Sequence, residues 1–408
     1  MCKLWMNEVT RVFHDRLVDE TDREWFIDLV MDLSGREFRS NIDRDDVFGE
    51  NKVMVGDLLK LDAPKKLYEV MNEKKKLHKA LINYLDEFNM STTSKMNLVF
   101  FDDAILHILR ICRVLRQSRG SIMCIGMGGS GKQSLIRMGS FMYDMQFKQV
   151  EIVKGFNQKM FRNFIKEMMF ESGIHAKKIS FVLTDNQILD EGFLEDVNNL
   201  LNTGEIPNLM QAEDKDLIAG DEMRKVVTDM KKVDTMEILA QTFVERVREN
   251  LHICLCMSPV GELLRVRCRR FPSLVNCCTL DWFSPWPKEA LLYVSSEFLK
   301  DLDMPNEEVR ENLSQMCASV HLSVKNCADQ FWEELRRRIY TTPKSYLDLI
   351  SLYMNKLDLK RQEYTQNRDR LAIGLKKLGD TKVDIDDFKQ QLKEATPKLK
   401  ASQEELGV

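Results

Sequence analysis

One nine-residue run, Gly126-Met127-Gly128-Gly129-Ser130-Gly131-Lys132-Gln133-Ser134, limits the possible folds of this chain more than any other feature. It satisfies the phosphate-loop pattern G-x-x-x-x-G-K-[ST] except at the last position, where Gln133 replaces the usual hydroxyl residue. An apolar run at 121–125 leads in as a buried strand, and 135–142 leads out as an amphipathic helix. Gly126, Gly128, Gly129 and Gly131 free the backbone to wrap its N–H groups around phosphate oxygens, and the helix N-terminus adds a favourable dipole. Lys132 is placed to reach the β and γ phosphates. A glycine-rich turn without a ligand is the weaker alternative.

At 408 residues the chain exceeds one ordinary core and predicts two or three compact units. Hydrophobic residues at 44%, charged residues at 30% and a net charge of -4 describe a globular chain without the basic signature of a nucleic-acid binder. No run reaches the roughly 18 apolar residues of a membrane span, and no signal peptide is evident, so the expectation is a cytosolic protein with no membrane partner. The ten cysteines form no disulfide framework and show no zinc-like spacing with histidines. Cys254 with Cys256, and Cys277 with Cys278, are read as buried thiols on two strands.

Short apolar runs at 121–125, 149–153, 179–184, 251–257 and 274–280 read as five strands separated by helical stretches such as 158–171 and 193–202. This alternation predicts an α/β fold: a three-layer domain on a five-stranded parallel sheet, with ligands at the carboxyl ends of the strands. Residues 211–234 read as an insertion with helical pieces. Before the sheet, 4–30 is helical, 41–56 is a turn-rich linker, Pro64 precedes a helix over 67–88, and a second helix covers 98–115. Beyond the Trp- and Pro-rich exit at 282–287, helices at 289–299, 307–323 and 330–338 lead to a long helix from Lys344. The expected divisions are 1–45, 46–285, 286–350 and 351–408. Leu357, Tyr364, Leu371, Leu378, Ile385, Leu392 and Leu399 recur every seven residues, a coiled-coil signature that Gly374, Gly379 and Pro397 interrupt.

A nucleotide-hydrolysing site needs a carboxylate at a neighbouring strand end to position magnesium, usually followed by a glutamate that activates water. Asp185 ends the 179–184 run and is the predicted metal-side carboxylate, but Asn186 follows it and cannot accept a proton as a carboxylate does. Glu191 and Glu195 are nearby substitutes, with solvent-facing roles the simpler reading. Gln133 offers an amide oxygen in place of a hydroxyl, with Ser134 one residue on; both replacements predict nucleotide binding with slow turnover. Ser258, after the 251–257 run, stands where a phosphate sensor would. Among Arg265, Arg267, Arg269 and Arg270, Arg267 and Arg269 are candidate fingers reaching a neighbouring subunit's nucleotide, and Lys344 is a candidate second sensor. Asn355-Lys356-Leu357-Asp358 matches a guanine-reading motif, yet it falls in the heptad-bearing helix, where no strand end meets a base.

Together, 126–134, Thr184-Asp185-Asn186-Gln187-Ile188, 193–209, 255–261 and 267–287 resemble the fourth module of the dynein heavy chain, a ring of six AAA+ modules in one polypeptide. The Thr-Asp-x-Gln-Ile strand end looks like the axonemal branch. Leu4-Trp5 and 11–17 look like the end of the third module, and the heptads look like the first strand of the stalk that carries the microtubule-binding tip. The resemblance implies an ATP/ADP and Mg2+ site that regulates a minus-end-directed motor of cilia and flagella, located in the axonemal cytoskeleton. It also implies neighbouring modules of the same heavy chain, intermediate and light chains, and, indirectly, microtubules as partners. A structural scaffold with a vestigial phosphate loop is the alternative function.

Overall fold

Three strands of one sheet are buried at every residue: β1 (Ile122–Gly126), β3 (Ile179–Thr184) and β4 (Leu251–Met257). Near-continuous apolar runs of this kind belong to a parallel sheet covered on both faces. In the computed structural model, which describes residues 1–49, 52–59, 67–71, 73–405 and 407, they join β2 (Gln146–Gln149) and β5 (Thr279–Phe283). The sheet has the order β2-β3-β4-β1-β5 and every neighbouring pair is parallel. Alternation along the strands separates two cores. Met123 and Ile125 face a cluster with Phe161, Phe181 and Phe193, whereas Ile122 and Cys124 face one with Ile108, Ile111 and Ile136. Helices Lys74–Ser91, Asp102–Arg116 and Lys132–Met142 supply the second cluster; Gln158–Gly173, Glu191–Thr203 and Met236–Asn250 supply the first. The fold is thus three-layered α/β.

Two strands differ from expectation. The run at 149–153 shares only Gln149 with β2: Ile152 and Val153 are exposed, and the edge strand uses the mostly polar Gln146-Phe147-Lys148-Gln149. The run at 274–280 begins as a helical turn, Ser273–Asn276, because Pro272 supplies φ −65° at its start, and β5 follows. Cys277 and Cys278 therefore lie in the turn before β5, while Cys254 and Cys256 sit in β4. The inserted segment forms helices Ala212–Ile218 and Asp221–Asp229.

The amino-terminal helices are split, Cys2–Val12 and Glu20–Phe38, with a short turn at His14–Arg16; Met6, Phe26, Val30 and Val47 form their own cluster. Pro64 lies outside the described residues, and the helix expected from 67 starts at Lys74 after a two-residue strand, Glu69–Val70. Beyond the sheet, Lys288–Leu299 packs on a single helix, Glu307–Leu335, where two were expected; its middle contains no Gly or Pro to break it. The last helix, Pro343–Glu405, runs unbroken through Gly374, Gly379 and Pro397. Its first turns are anchored: Tyr346 and Ile350 are fully buried, and the Tyr346 hydroxyl donates to the Leu291 carbonyl at 2.8 Å. Farther along, Leu371, Leu378 and Leu392 are each more than two-thirds exposed.

Candidate nucleotide site

Because β4 lies between β1 and β3, the strand order reverses beside β1, and the loop leaving β1 opens onto the crevice where such sheets take ligands. Gly129 and Gly131 have φ of +78° and +89°, which side-chain-bearing residues adopt only with strain. Gly126 is required by proximity: a Cβ there would stand 2.5 Å from the Phe283 Cβ on β5. At Gly129 a Cβ would meet the Lys344 Cβ at 2.4 Å, so the start of the long helix rests directly on the loop. The exposed Lys344 is thereby placed beside Gly129, with Thr342 and Ser345 exchanging hydrogen bonds to cap the helix.

Lys132 folds back on its own loop, donating to the carbonyls of Gly126 and Met127 at 2.7 Å each and to the Ser130 hydroxyl at 3.2 Å. Burial pulls its ammonium below the ordinary lysine range. These acceptors hold the lysine at the loop mouth. Ser130 is buried, Gln133 is exposed and Ser134 is half-buried. The loop borders a cleft of 950 Å³ that also takes in Asp185, Asn186 and Ser258. Leu98, Val99, Phe298 and Leu347 give the cleft apolar walls from both the sheet domain and the helical domain.

Asp185 is the crossing point of the site. Its Oδ2 accepts the Ser258 backbone N–H, and its Oδ1 accepts from Arg267 Nη1 at 2.9 Å. Burial pushes its carboxyl up; the Ser258 N–H and Arg267 oppose this without cancelling it. The Ser258 hydroxyl accepts from Val260 N–H at 3.4 Å and shapes its own turn. Asn186 is exposed, as is Glu195, but Glu191 turns back and meets Arg267 Nε at 3.3 Å. Arg267 is only 5% exposed and both of its partners lie in its own module. That geometry is at odds with a finger aimed at a neighbouring subunit. Arg269, on the same helix Leu263–Arg270, is exposed.

Gln187 and Asp281 fall inside the motif segments named above, but no spacing assigns them a role. Gln187 is buried, accepting from the Thr184 N–H and hydroxyl at 3.0 Å and donating to the Val150 carbonyl at 2.5 Å, which locks the turn carrying Asp185. Asp281, fully buried on β5, holds His107 Nδ1 at 2.9 Å and Arg110 at 2.7 Å, while His107 stacks on Phe283. Burial pushes the Asp281 carboxyl up, but His107 and Arg110 outweigh it and hold it down at about 2. A carboxylate inside the apolar run Thr279-Leu280-Asp281-Trp282-Phe283 was the available signal, since an aspartate is rarely buried unless paired. Arg11 and Asp15 of the amino-terminal segment lie beside this group, 3.0 Å apart, and Trp282 Nε1 donates to the Asp15 carbonyl at 3.2 Å.

Residues 96–356 match the family model described as the P-loop containing dynein motor region D4. The chain belongs to the dynein motor region D4 family. Among relatives of this D4 chain, human "Dynein axonemal heavy chain 6" is 42% identical over 99% of the chain, and mouse "Dynein axonemal heavy chain 1" is 38% identical over 98%. Human "Dynein axonemal heavy chain 3" is 36% identical over 99%. The D4 chain spans only about a tenth of these relatives, covering 10%, 9% and 10% of their lengths. A P-loop of the D4 family implies nucleotide binding and neighbours within the same heavy chain. No described helix of the D4 chain is long and apolar enough to cross a membrane.

Proposed function

We propose that this chain is a nucleotide-binding regulatory AAA+ module of an axonemal dynein heavy chain, taking ATP or ADP and hydrolysing it slowly. The observation that carries the reading is the contact between Gly129 of the phosphate loop and Lys344 at the start of the long helix, which joins a phosphate cradle to a mechanical element. The donors at the loop mouth are hard oxygens, from Asp185 and from Ser134 or Gln133, which suit Mg2+. Among the described residues no group of three or more His, Cys, Asp or Glu can hold a metal alone, so phosphate and water would complete its shell. Asp185 with Ser134 or Gln133 would hold the ion, which would supply positive charge against that developing on the phosphates. The protein's part is to cradle phosphates with loop N–H groups, pair them with Lys132 and enclose the base between the apolar walls. Exposed Asn186 orients water but takes no proton, the physical basis for slow turnover.

In this reading residues 1–45 close the preceding module, 46–285 form the large domain, 286–350 the small helical domain, and 351–408 the first strand of a coiled-coil stalk. Arg269 is the trans-acting candidate toward the preceding module's nucleotide, and Lys344 the second sensor. The whole heavy chain would work as a minus-end-directed motor in cilia and flagella, with intermediate and light chains, reaching microtubules through the stalk. The competing reading is a scaffold whose loop no longer binds. Equilibrium titration of fluorescent ATP and ADP decides between them: the wild type should bind and Lys132→Ala should lose at least about 100-fold in affinity, whereas no binding by the wild type supports the scaffold.

A further inference from the structure

Arg267 occupies an unusual position for an arginine beside a metal-side carboxylate. Its guanidinium is buried, carries a permanent positive charge, and is shared between Asp185 Oδ1 at 2.9 Å and Glu191 Oε1 at 3.3 Å. The other Asp185 oxygen is taken by the Ser258 N–H. A divalent cation approaching Asp185 therefore meets an oxygen already in use and a like charge behind it. Glu191 supplies a second seat: a guanidinium held by Glu191 alone would leave Oδ1 free. Helix Glu191–Thr203 starts with Asp190 accepting the Gly192 N–H at 2.7 Å, which fixes where Glu191 stands.

We infer that Arg267 is a positioning residue acting in cis as a gate on Asp185, with Glu191 as its counterweight, so that the pair sets how much Mg2+ the site needs to hold nucleotide. The inference rests on the nucleotide-binding reading above. It predicts opposite effects for two substitutions in the same triad, one that removes both ion pairs of Arg267 and one that removes only its pair with Glu191. Arg267→Gln removes the competing charge, and the Mg2+ concentration giving half-maximal affinity for fluorescent ATP should fall about tenfold. Glu191→Gln leaves Arg267 on Asp185 alone, and that midpoint should rise several-fold. Arg267→Lys keeps the charge and should stay near the wild type.

The test is a Mg2+ titration of fluorescent ATP binding to the purified 408-residue chain and its three variants. A merely structural arginine would weaken nucleotide binding in every variant and leave the Mg2+ midpoint in place. Midpoints that stay fixed, or move in the same direction in Arg267→Gln and Glu191→Gln, overturn the gate. If Arg267→Gln does not fold, Glu191→Gln decides alone, and a midpoint that falls or stays put overturns it. A wild type that binds no nucleotide at any Mg2+ concentration removes the functional reading and the gate together, whereas nucleotide binding with unmoved midpoints removes the gate only.

Discussion

Gly129→Ala should separate the loop from the long helix. Two costs add at this position. The backbone stands at φ +78°, where an alanine pays roughly 1–2 kcal/mol. Its new Cβ would also stand 2.4 Å from the Lys344 Cβ and 3.3 Å from the Lys344 backbone nitrogen, so the helix start must retreat by more than 1 Å to reach ordinary carbon contact of about 3.5–4 Å. Overpacking of that kind costs roughly 1–3 kcal/mol, giving a total of about 2–5 kcal/mol. Gly128→Ala is the matched control, because a Cβ there meets nothing within 4 Å and the backbone is not left-handed. Thermal unfolding of both variants without nucleotide should show Gly129→Ala losing several degrees and Gly128→Ala within about 2 °C of the wild type. Equal melting temperatures for the two would refute the contact between loop and helix.

Asp281→Asn should destabilise the chain by about 3–5 kcal/mol, read from the denaturant midpoint, because it strands Arg110 and His107 against a neutral amide in a buried site. The same carboxylate predicts acid sensitivity: held at about 2 in the fold against an ordinary 3.8, it contributes stability that is complete above pH ~4 and lost as pH falls toward 2, roughly 2 kcal/mol in all. Asn186→Glu should raise single-turnover hydrolysis at this site by at least about tenfold, by placing a proton acceptor beside the attacking water; an unchanged rate would mean that Asn186 does not limit turnover.

Legibility in the sequence followed burial. Strands β3 and β4 stand at the bounds their apolar runs give because every residue in them is covered on both faces. Strand β2 lies at the sheet edge, where Gln146, Lys148 and Gln149 can face solvent, so hydropathy points past it to the more apolar residues that follow. At 273–276 the same hydrophobicity serves a helical turn, with Leu274 in the core, and only the fixed φ of Pro272 distinguishes the two outcomes. The site divides in a similar way. Glycine spacing and a strand-end carboxylate are local patterns, but the bond from Arg267 to Asp185 spans 82 residues, and no spacing rule separates an arginine turned inward from the exposed Arg269 two positions on.

The Gly129 contact also sets a lever. Lys344 touches the loop, the buried Tyr346 and Ile350 anchor the helix, and the element continues to Glu405, so at ~1.5 Å per residue the short arm is about 9 Å and the long arm about 80 Å. A rigid helix pivoting at Ile350 would turn a 1 Å adjustment at the loop into a displacement of about 9 Å at the far end. Gly374, Gly379 and Pro397 reduce stiffness and lower that figure, since glycine and proline are where helices bend most readily. Spin labels at Arg119→Cys and Gln391→Cys, with the exposed Cys327 replaced by serine, would report the motion directly. Nucleotide should shift the mean distance by several ångströms in the chain with Gly129 intact and by much less in Gly129→Ala, where the contact is already sprung. A distance that ignores nucleotide in both would mean that the helix rests on the loop without being moved by it.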